Sequence, residues 1–394
     1  VFAAQDVEAG ESLFEIPQSC CIYPELVFAD RQLGKSMTAL ASKAGSGIDV
    51  VSLAAYLARE KMAGAESRFR PFIEVCPWDS LHPLLWTEAE LDLLEGTYAY
   101  NELNELLDQV DVATEIFEPV LNPKGWKQLF QAIETENMDS EDFAFLMRGA
   151  FASVISRNFD SNIGVSSKME QREPRVIIPL LDIFNHHPTA PSISFDAING
   201  FGTQDDEGRS FGVTVAKKGP VAFGTELFNY YGTKPNWDML TTYGFVSSNP
   251  ACQESTLTTN LAPSDPLFSA KKDALARKGI KAQGQIWDVQ NGKEPSKLLL
   301  PYFRIEAMDE SELQNADMAL QGEISEDNER RAKEALKETL GVRRAFLARA
   351  SRGVQQAKAA GKDTLVRAEV ADLVQQLLDS EAAALDDFSS RMKL

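Results

Sequence analysis

The stretch that most limits the fold is Arg175-Val176-Ile177-Ile178-Pro179-Leu180-Leu181-Asp182-Ile183-Phe184-Asn185-His186-His187-Pro188. Its opening run, Val176 to Ile178, is apolar and β-branched and predicts a buried strand. The chain then enters a segment where Asp182, Asn185 and His186 alternate with Leu181, Ile183 and Phe184. Such a mixture makes a poor core, because buried polar groups need partners or cost free energy. Two readings fit: nearby backbone satisfies each polar group, or the segment lines a site. The second gains weight from Gly224-Thr225-Glu226-Leu227-Phe228-Asn229-Tyr230-Tyr231-Gly232, followed by Asn236 and by Tyr243-Gly244-Phe245.

On either side of this segment the apolar period changes. Residues 1–17 read as two short strands around a turn at 8–11, and 20–23 as another strand. Beyond residue 48, Val50, Leu53, Ala54, Leu57, Ala58 and Met62 fall on one helical face. Thr87 and Glu90 form a capping box for a helix over 86–94. Residues 103–117, 126–133 and 143–156 continue in helical rhythm, the last capped by Asp139 or Ser140. Strand signals return at 175–181, 192–195, 210–216 and 226–230, with turns at 200–202 and 203–208. Past residue 250 helices are expected at 267–278 (closed by Gly279), 298–308, 310–319, 325–350 and 364–387, with a strand at 285–289. The expected class is α+β. A β-rich domain spans 1–250, interrupted by a helical insertion at about 48–150, and a mainly α-helical domain spans 251–394.

At 394 residues the chain exceeds one ordinary core, so two or three domains are expected. The net charge of −20 repels phosphate backbones, which argues against direct nucleic-acid binding and favours basic protein partners. No apolar run is long enough to span a membrane, and no signal peptide is visible. The chain opens on Val1-Phe2-Ala3-Ala4, already strand-like, so further residues are expected to precede it in the natural protein, where a targeting peptide could lie. Cys20, Cys21, Cys76 and Cys252 show neither metal spacing nor a disulfide framework, which fits a reducing compartment.

The histidines are His82, His186 and His187. His82 stands before Pro83 with no partner signal. Adjacent histidines on a strand point apart and no third completes them, so no metal is expected. There is no G-x-S-x-G, no Walker A and no G-x-G-x-x-G opening a helix. Tyr230-Tyr231 alone reads as an edge-strand aromatic pair. Together with Tyr243 and Phe245 it can wall a narrow aromatic channel suited to a long alkyl amine.

Asn185-His186 and the Glu226-Leu227…Tyr231 run resemble the SET-domain protein methyltransferases. The helical insertion and helical C-terminal part are similar to the Rubisco large-subunit lysine methyltransferase subgroup. Residues 7–17 look like the family's opening strand pair, and Ser156-Arg157-Asn158-Phe159 like the subgroup's S-R-x-F segment. The resemblance implies S-adenosylmethionine as cofactor, held by Arg157, Asn185, His186 and Phe245. It implies Tyr231 as catalytic tyrosine and Phe159, Asp182, Phe195 and Tyr243 around the substrate lysine, with local lengths differing at Phe195. Two departures stand out. The glycine-rich segment that precedes the strand pair in the family is not in this chain, and His187-Pro188 replaces the usual small polar residue.

The implied activity is protein-lysine N-methylation, of a histone or another protein, by a monomer that docks no membrane. The implied compartment is intracellular: plastid stroma, cytoplasm or nucleus. Protein-histidine methylation and a non-catalytic SET-like binding module are the alternatives. Phe159 favours lysine, since an apolar wall offers an imidazole no hydrogen bond.

Overall fold

A tight turn at residues 8–11 opens the fold: Gly10 takes φ +81°, and Glu11 Oε2 accepts the Glu8 N–H at 2.8 Å. The chain leaves it as β1 (Ser12–Pro17), which ends where proline has no N–H to give. The expected second strand before the turn is absent. Phe2 and Val7 make only single bridges to Glu226 and Val221, and residues 20–23 only the bridge from Ile22 to Ile177. The computed structural model describes all residues except 32, 42–47, 77, 79–80, 122–138, 161–174, 199–209, 216–219 and 362–364. The helix expected at 126–133 and the turns expected at 200–202 and 203–208 lie outside the described residues.

Helices follow: α1 (Pro24–Ala29), α2 (Leu33–Ala41), α3 (Ile48–Ala63), α4 (Arg70–Val75), α5 (Glu88–Leu91), α6 (Tyr98–Leu121) and α7 (Ser140–Arg157). The first α-helix thus begins at Pro24, where proline at the first helical turn leaves no N–H unsatisfied. α3 packs on α7 through the small and apolar face that its spacing predicts, with Leu53, Ala54, Leu57 and Ala58 fully buried. The Thr87–Glu90 capping box is formed at α5, and Asp139 caps α7 by accepting the Asp142 N–H at 2.8 Å.

Six short strands come next: β2 (Asn158–Asp160), β3 (Arg175–Ile177), β4 (Asn185–His186), β5 (Ile193–Ile198), β6 (Ser210–Val215) and β7 (Phe228–Asn229). β1, β6 and β5 form an antiparallel sheet in that order, β2 pairs antiparallel with β3, and β4 pairs parallel with β7. The strand expected over 175–181 stops at Ile177. Pro179 cannot donate to a ladder, and Leu180 takes φ +73°. Ile16, Val176, Ile178, Leu181, Phe184 and Val213 build the core beneath these strands.

The remainder comprises α8 (Asn236–Tyr243), β8 (Glu254–Thr259), α9 (Phe268–Ala276), β9 (Gln285–Gln290), α10 (Leu299–Glu306), α11 (Glu326–Ala360) and α12 (Ala368–Met392). β8 was not expected from sequence. Its inward face is Ser255, Leu257 and Thr259, so two of three buried positions are hydroxyls and the apolar alternation is hidden. Those hydroxyls are satisfied by Glu381 and by the Trp287 indole N–H. Residues 310–319, expected as a helix, form two single 3-10 turns at Leu313–Asn315 and Met318–Leu320. The Asp309 carboxylate takes the Ser311 and Glu312 N–H groups, a local bond that competes with helix.

The chain divides into two compact units. One is Val1–Trp86, Glu102–Gly232 and Thr241–Gly244; the other is Thr87–Asn101, Thr233–Leu240 and Phe245–Leu394. In the second, α11 packs on α12, burying Leu336, Leu340 and Leu347 along with Val374, Leu377 and Leu385. No helix among the described residues is long and apolar enough to cross a membrane.

Candidate active site

The first unit gathers its polar side chains where β4 lies against β7. Asn185 is in register with Phe228 and His186 with Asn229, and the His187 N–H donates to the Asn229 carbonyl at 2.9 Å. The chain beyond β7 is then tied back. The Tyr231 N–H donates to His186 Nδ1 at 3.0 Å, so Nδ1 is the acceptor and the imidazole carries its proton on Nε2. Burial, helped by His187, holds His186 below the ordinary histidine range, which keeps this neutral tautomer.

Tyr231 is the centre of an aromatic stack. Its ring lies 4.8 Å from Tyr243 and 5.1 Å from His186, and Tyr230 meets the other end of the imidazole at 5.9 Å. The Tyr231 hydroxyl donates to the Phe184 carbonyl at 2.7 Å. Burial pushes this phenol up to about 12, with Arg157 pulling down and Asp182 pushing up. It is therefore neutral at ordinary pH. With its proton engaged, it offers only lone pairs to anything that approaches.

Arg157 ends α7 and reaches across to the segment after β3. Its Nη1 donates to Asp182 Oδ2 at 2.8 Å and to the Asp182 carbonyl at 3.3 Å. Burial raises the Asp182 carboxyl above its ordinary value, and Arg157 only partly offsets this. Asp182 Oδ1 and Arg157 Nε are both buried with no hydrogen-bond partner of good geometry among the described residues. One acceptor and one donor of this pair thus lack a well-placed partner, where leaving them open is costly. On the adjoining β2 and β5, Phe159 and Phe195 meet edge to face at 5.4 Å and pack against the core.

Asn185 donates to Glu226 Oε1 at 2.7 Å. So Arg157, Phe159, Asp182, Asn185, His186, Phe195, Tyr231 and Tyr243 all fall in the first unit, linked by the contacts above. Phe245 is counted in the second. Sequence reading gave no role to Glu226, to the Phe184 carbonyl or to His82. Glu226 lies in the tyrosine run, but only the β4–β7 register brings it to Asn185.

His82 is 3% exposed. Its Nδ1 accepts the Leu84 N–H and its Nε2 meets the Thr242 carbonyl, each at 3.2 Å. It thereby caps the last turn of α8, beside Tyr243, whose successor Gly244 takes φ +76°. A Cβ there would sit 3.2 Å from the His82 Cα. Burial drops His82 to about 4. Cys76, which feels the charges of Arg157 and Asp182, is pushed up to about 12 by burial, so no thiolate nucleophile is present there. Among the described residues no cluster of three or more histidine, cysteine or carboxylate side chains is placed to hold a metal.

Comparison with known proteins bears on this site. Residues 262–347 match the family described as Rubisco LSMT substrate-binding. The chain is 27% identical over 78% of its length to the chloroplastic [fructose-bisphosphate aldolase]-lysine N-methyltransferase of Arabidopsis thaliana, covering 58% of that protein. It is 24% identical over 78% of its length to the chloroplastic Rubisco large-subunit N-methyltransferase of Nicotiana tabacum, covering 57% of it. The chain thus spans little more than half of these relatives. The solved SET domain of LSMT bound to lysine and AdoHcy superposes with a TM-score of 0.65 at 20% identity, covering 100% of this chain and 84% of that one. The chain therefore has the fold of the solved SET domain of LSMT, and in sequence it is similar to lysine methyltransferases of the Rubisco large-subunit type.

Proposed function

We propose that the chain is an S-adenosylmethionine-dependent protein-lysine N-methyltransferase. The observation that carries this reading is the neutral Tyr231 phenol beside the incompletely satisfied Arg157–Asp182 pair. Relatives named for lysine N-methylation, the solved LSMT SET domain bound to lysine and AdoHcy, and the substrate-binding family at 262–347 support it.

The leftover atoms fit the cofactor. A buried donor on Arg157 and a buried acceptor on Asp182, the latter expected from the resemblance near the substrate lysine, also suit a group that carries both a carboxylate and an ammonium, such as the amino-acid end of S-adenosylmethionine. Asn185 and His186 would hold its adenosine end, as the family resemblance implies. When bound, the cofactor supplies an electrophilic methyl on a sulfonium.

The rest is work for this chain's own residues. A lysine ammonium, of pKa about 10.4, has no lone pair and must first lose a proton. Apolar walls such as Phe159 and Phe195 favour the neutral amine by excluding water. Tyr231 and Tyr243 orient the nitrogen, and positioning is the main catalytic task. Because its proton is committed to Phe184, the Tyr231 oxygen faces the developing positive charge as an acceptor.

The partner would be a protein bearing the target lysine, acted on inside the cell, in plastid, cytoplasm or nucleus. To test the reading, the full chain is incubated with cell extract and methyl-labelled S-adenosylmethionine, and the modified residue is located by mass spectrometry. Methyl-lysine is expected. Methyl-histidine would overturn the lysine assignment. Absence of both transfer and calorimetric cofactor binding would leave a non-catalytic binding module.

A further inference from the structure

β8 has one paired edge and one open edge. The Asn291 N–H donates to the Gln253 carbonyl at 2.9 Å, directly across the ladder that pairs Glu254 with Gln290 and Thr259 with Gln285. Hydrogen-bonded pairs alternate in an antiparallel ladder. Ser255, Leu257 and Thr259 therefore turn their main-chain groups toward β9. The N–H and C=O groups of Thr256 and Thr258 point the other way, and no main-chain partner meets them among the described residues.

This edge borders a cleft. Thr256 to Asn260, five residues in succession, line an open cavity of about 520 Å³ within the second unit. α11 lines it too, through Glu338 and Val342, and α10 through its last residue, Glu306. Val342 is 68% exposed, an apolar surface with nothing over it. The lining is acidic in effect. Arg343, the cation there, is already paired with Glu381, while Glu306 and Glu338 have no ion pair among the described residues. Burial pushes Glu306 up to about 7, Lys271 opposing and Asp265 and Glu338 adding to it. A cation brought into the cleft would restore its ordinary ionised state.

We propose that this cleft docks an extended, basic segment of the protein substrate as an added strand on β8, with a lysine or arginine side chain set against Glu306 and Glu338. An unpaired strand edge is a template for such addition, and alternate side chains of the added strand then point one way. The word substrate rests on the methyltransferase reading; the docking itself does not. The matched substrate-binding region, 262–347, contains Glu306 and Glu338.

The test is fluorescence anisotropy of the full chain, without cofactor, using a fluorescein-labelled peptide of alternating lysine and valine. The same peptide with glutamate for lysine serves as control. The basic peptide is expected to bind and the acidic one not. Glu306→Gln with Glu338→Gln should weaken binding on the order of tenfold and reduce its salt dependence, as loss of charge-assisted contacts does. A basic peptide N-methylated at alternate amides cannot pair as a strand and should lose binding to the unaltered protein, a control free of folding artefacts. Undiminished binding in the double variant, or of the N-methylated peptide, overturns the inference. Peptide docking without any methyl transfer would leave the cleft standing and sink the methyltransferase reading. Methyl transfer by a chain that ignores the peptide would do the reverse.

Discussion

Glu90 in the second unit and Asp182 in the first are buried carboxylates, their side chains 0% and 2% exposed, each facing one arginine. Glu90 accepts from the Arg367 main-chain N–H, from Arg367 Nε and Nη2, and from the Thr87 N–H. Burial alone would raise it, but these bonds pull it below the ordinary range. Asp182 takes one side-chain bond from Arg157 and weaker approaches from the Leu180 and Asp182 N–H groups, leaves Oδ1 without a partner of good geometry, and rises instead under burial. The chemistry of the two pairs is alike and the saturation is not. A saturated pair stabilises the fold. An unsaturated one holds part of its interaction energy open for a ligand, at a cost the surrounding structure must cover.

The largest expected effect is at the open site. Tyr231→Phe keeps the stack with His186 and Tyr243 and loses the bond to Phe184, so the circular dichroism spectrum and melt should barely change. Methyl transfer should fall by on the order of 10²-fold or more, as when one transition-state contact is removed. A wild-type rate would show that the phenol oxygen takes no part.

The two carboxylates can be compared directly. Glu90→Gln replaces the charged member of a saturated pair and should cost about 2–3 kcal/mol in urea unfolding. Asp182→Asn removes a charge that burial already disfavours and should cost under about 1 kcal/mol, while cofactor binding and turnover drop sharply. Equal stability losses would mean that the first-unit pair is as structural as the second. In pH the signs also differ. Glu90, lowered in the fold, stabilises above its unfolded pKa and loses this as pH falls through its folded one. Asp182, raised, is a liability that acid relieves.

The same contrast explains what could be read in the sequence. Much of the second unit announced itself through apolar period: the spacing of Leu336, Leu340 and Leu347 gives α11, and Gly279, with φ +71°, closes the turn after α9. Thr87 and Glu90 named their own cap. β8 stayed hidden because its buried face is largely hydroxyl. In the first unit the 176–186 run flagged a site by mixing polar with apolar residues. What the residues do there depends on contacts far apart in sequence: Tyr231 with Phe184, Asn185 with Glu226, His82 with Thr242. No local pattern encodes those pairings, so Glu226 and His82 were missed, and the strands expected at 175–181 and 226–230 are shorter in the structure.

His82 gives a smaller and pH-dependent effect. Its folded pKa of about 4 lies below the ordinary 6.5. Between those values the unfolded chain binds the extra proton, so stability rises with pH through that window and falls on acidification. The full swing is about 3 kcal/mol from the size of the shift. His82→Gln can still donate to the Thr242 carbonyl but does not titrate. Unfolding free energies of the two proteins at pH 7 and pH 4.5 should therefore converge in acid. Parallel pH profiles would show that another group carries the slope.

The smallest effect is at Leu180, just before Asp182, where φ is +73° and the side chain is 56% exposed. A leucine held there is strained by on the order of 1–2 kcal/mol, which glycine would not feel. Glycine also gains freedom in the unfolded chain, which takes back roughly 0.5–1 kcal/mol. The net expectation for Leu180→Gly is a gain of about 0.5–1 kcal/mol in urea unfolding. If the strain helps to hold Asp182 in its unsaturated position, the more stable variant should turn over more slowly, with cofactor affinity falling in step. A stability loss would instead mean that packing by Leu180 outweighs its backbone strain. A gain with unchanged turnover would place the strain outside the catalytic arrangement and leave burial alone to keep the Arg157–Asp182 pair open.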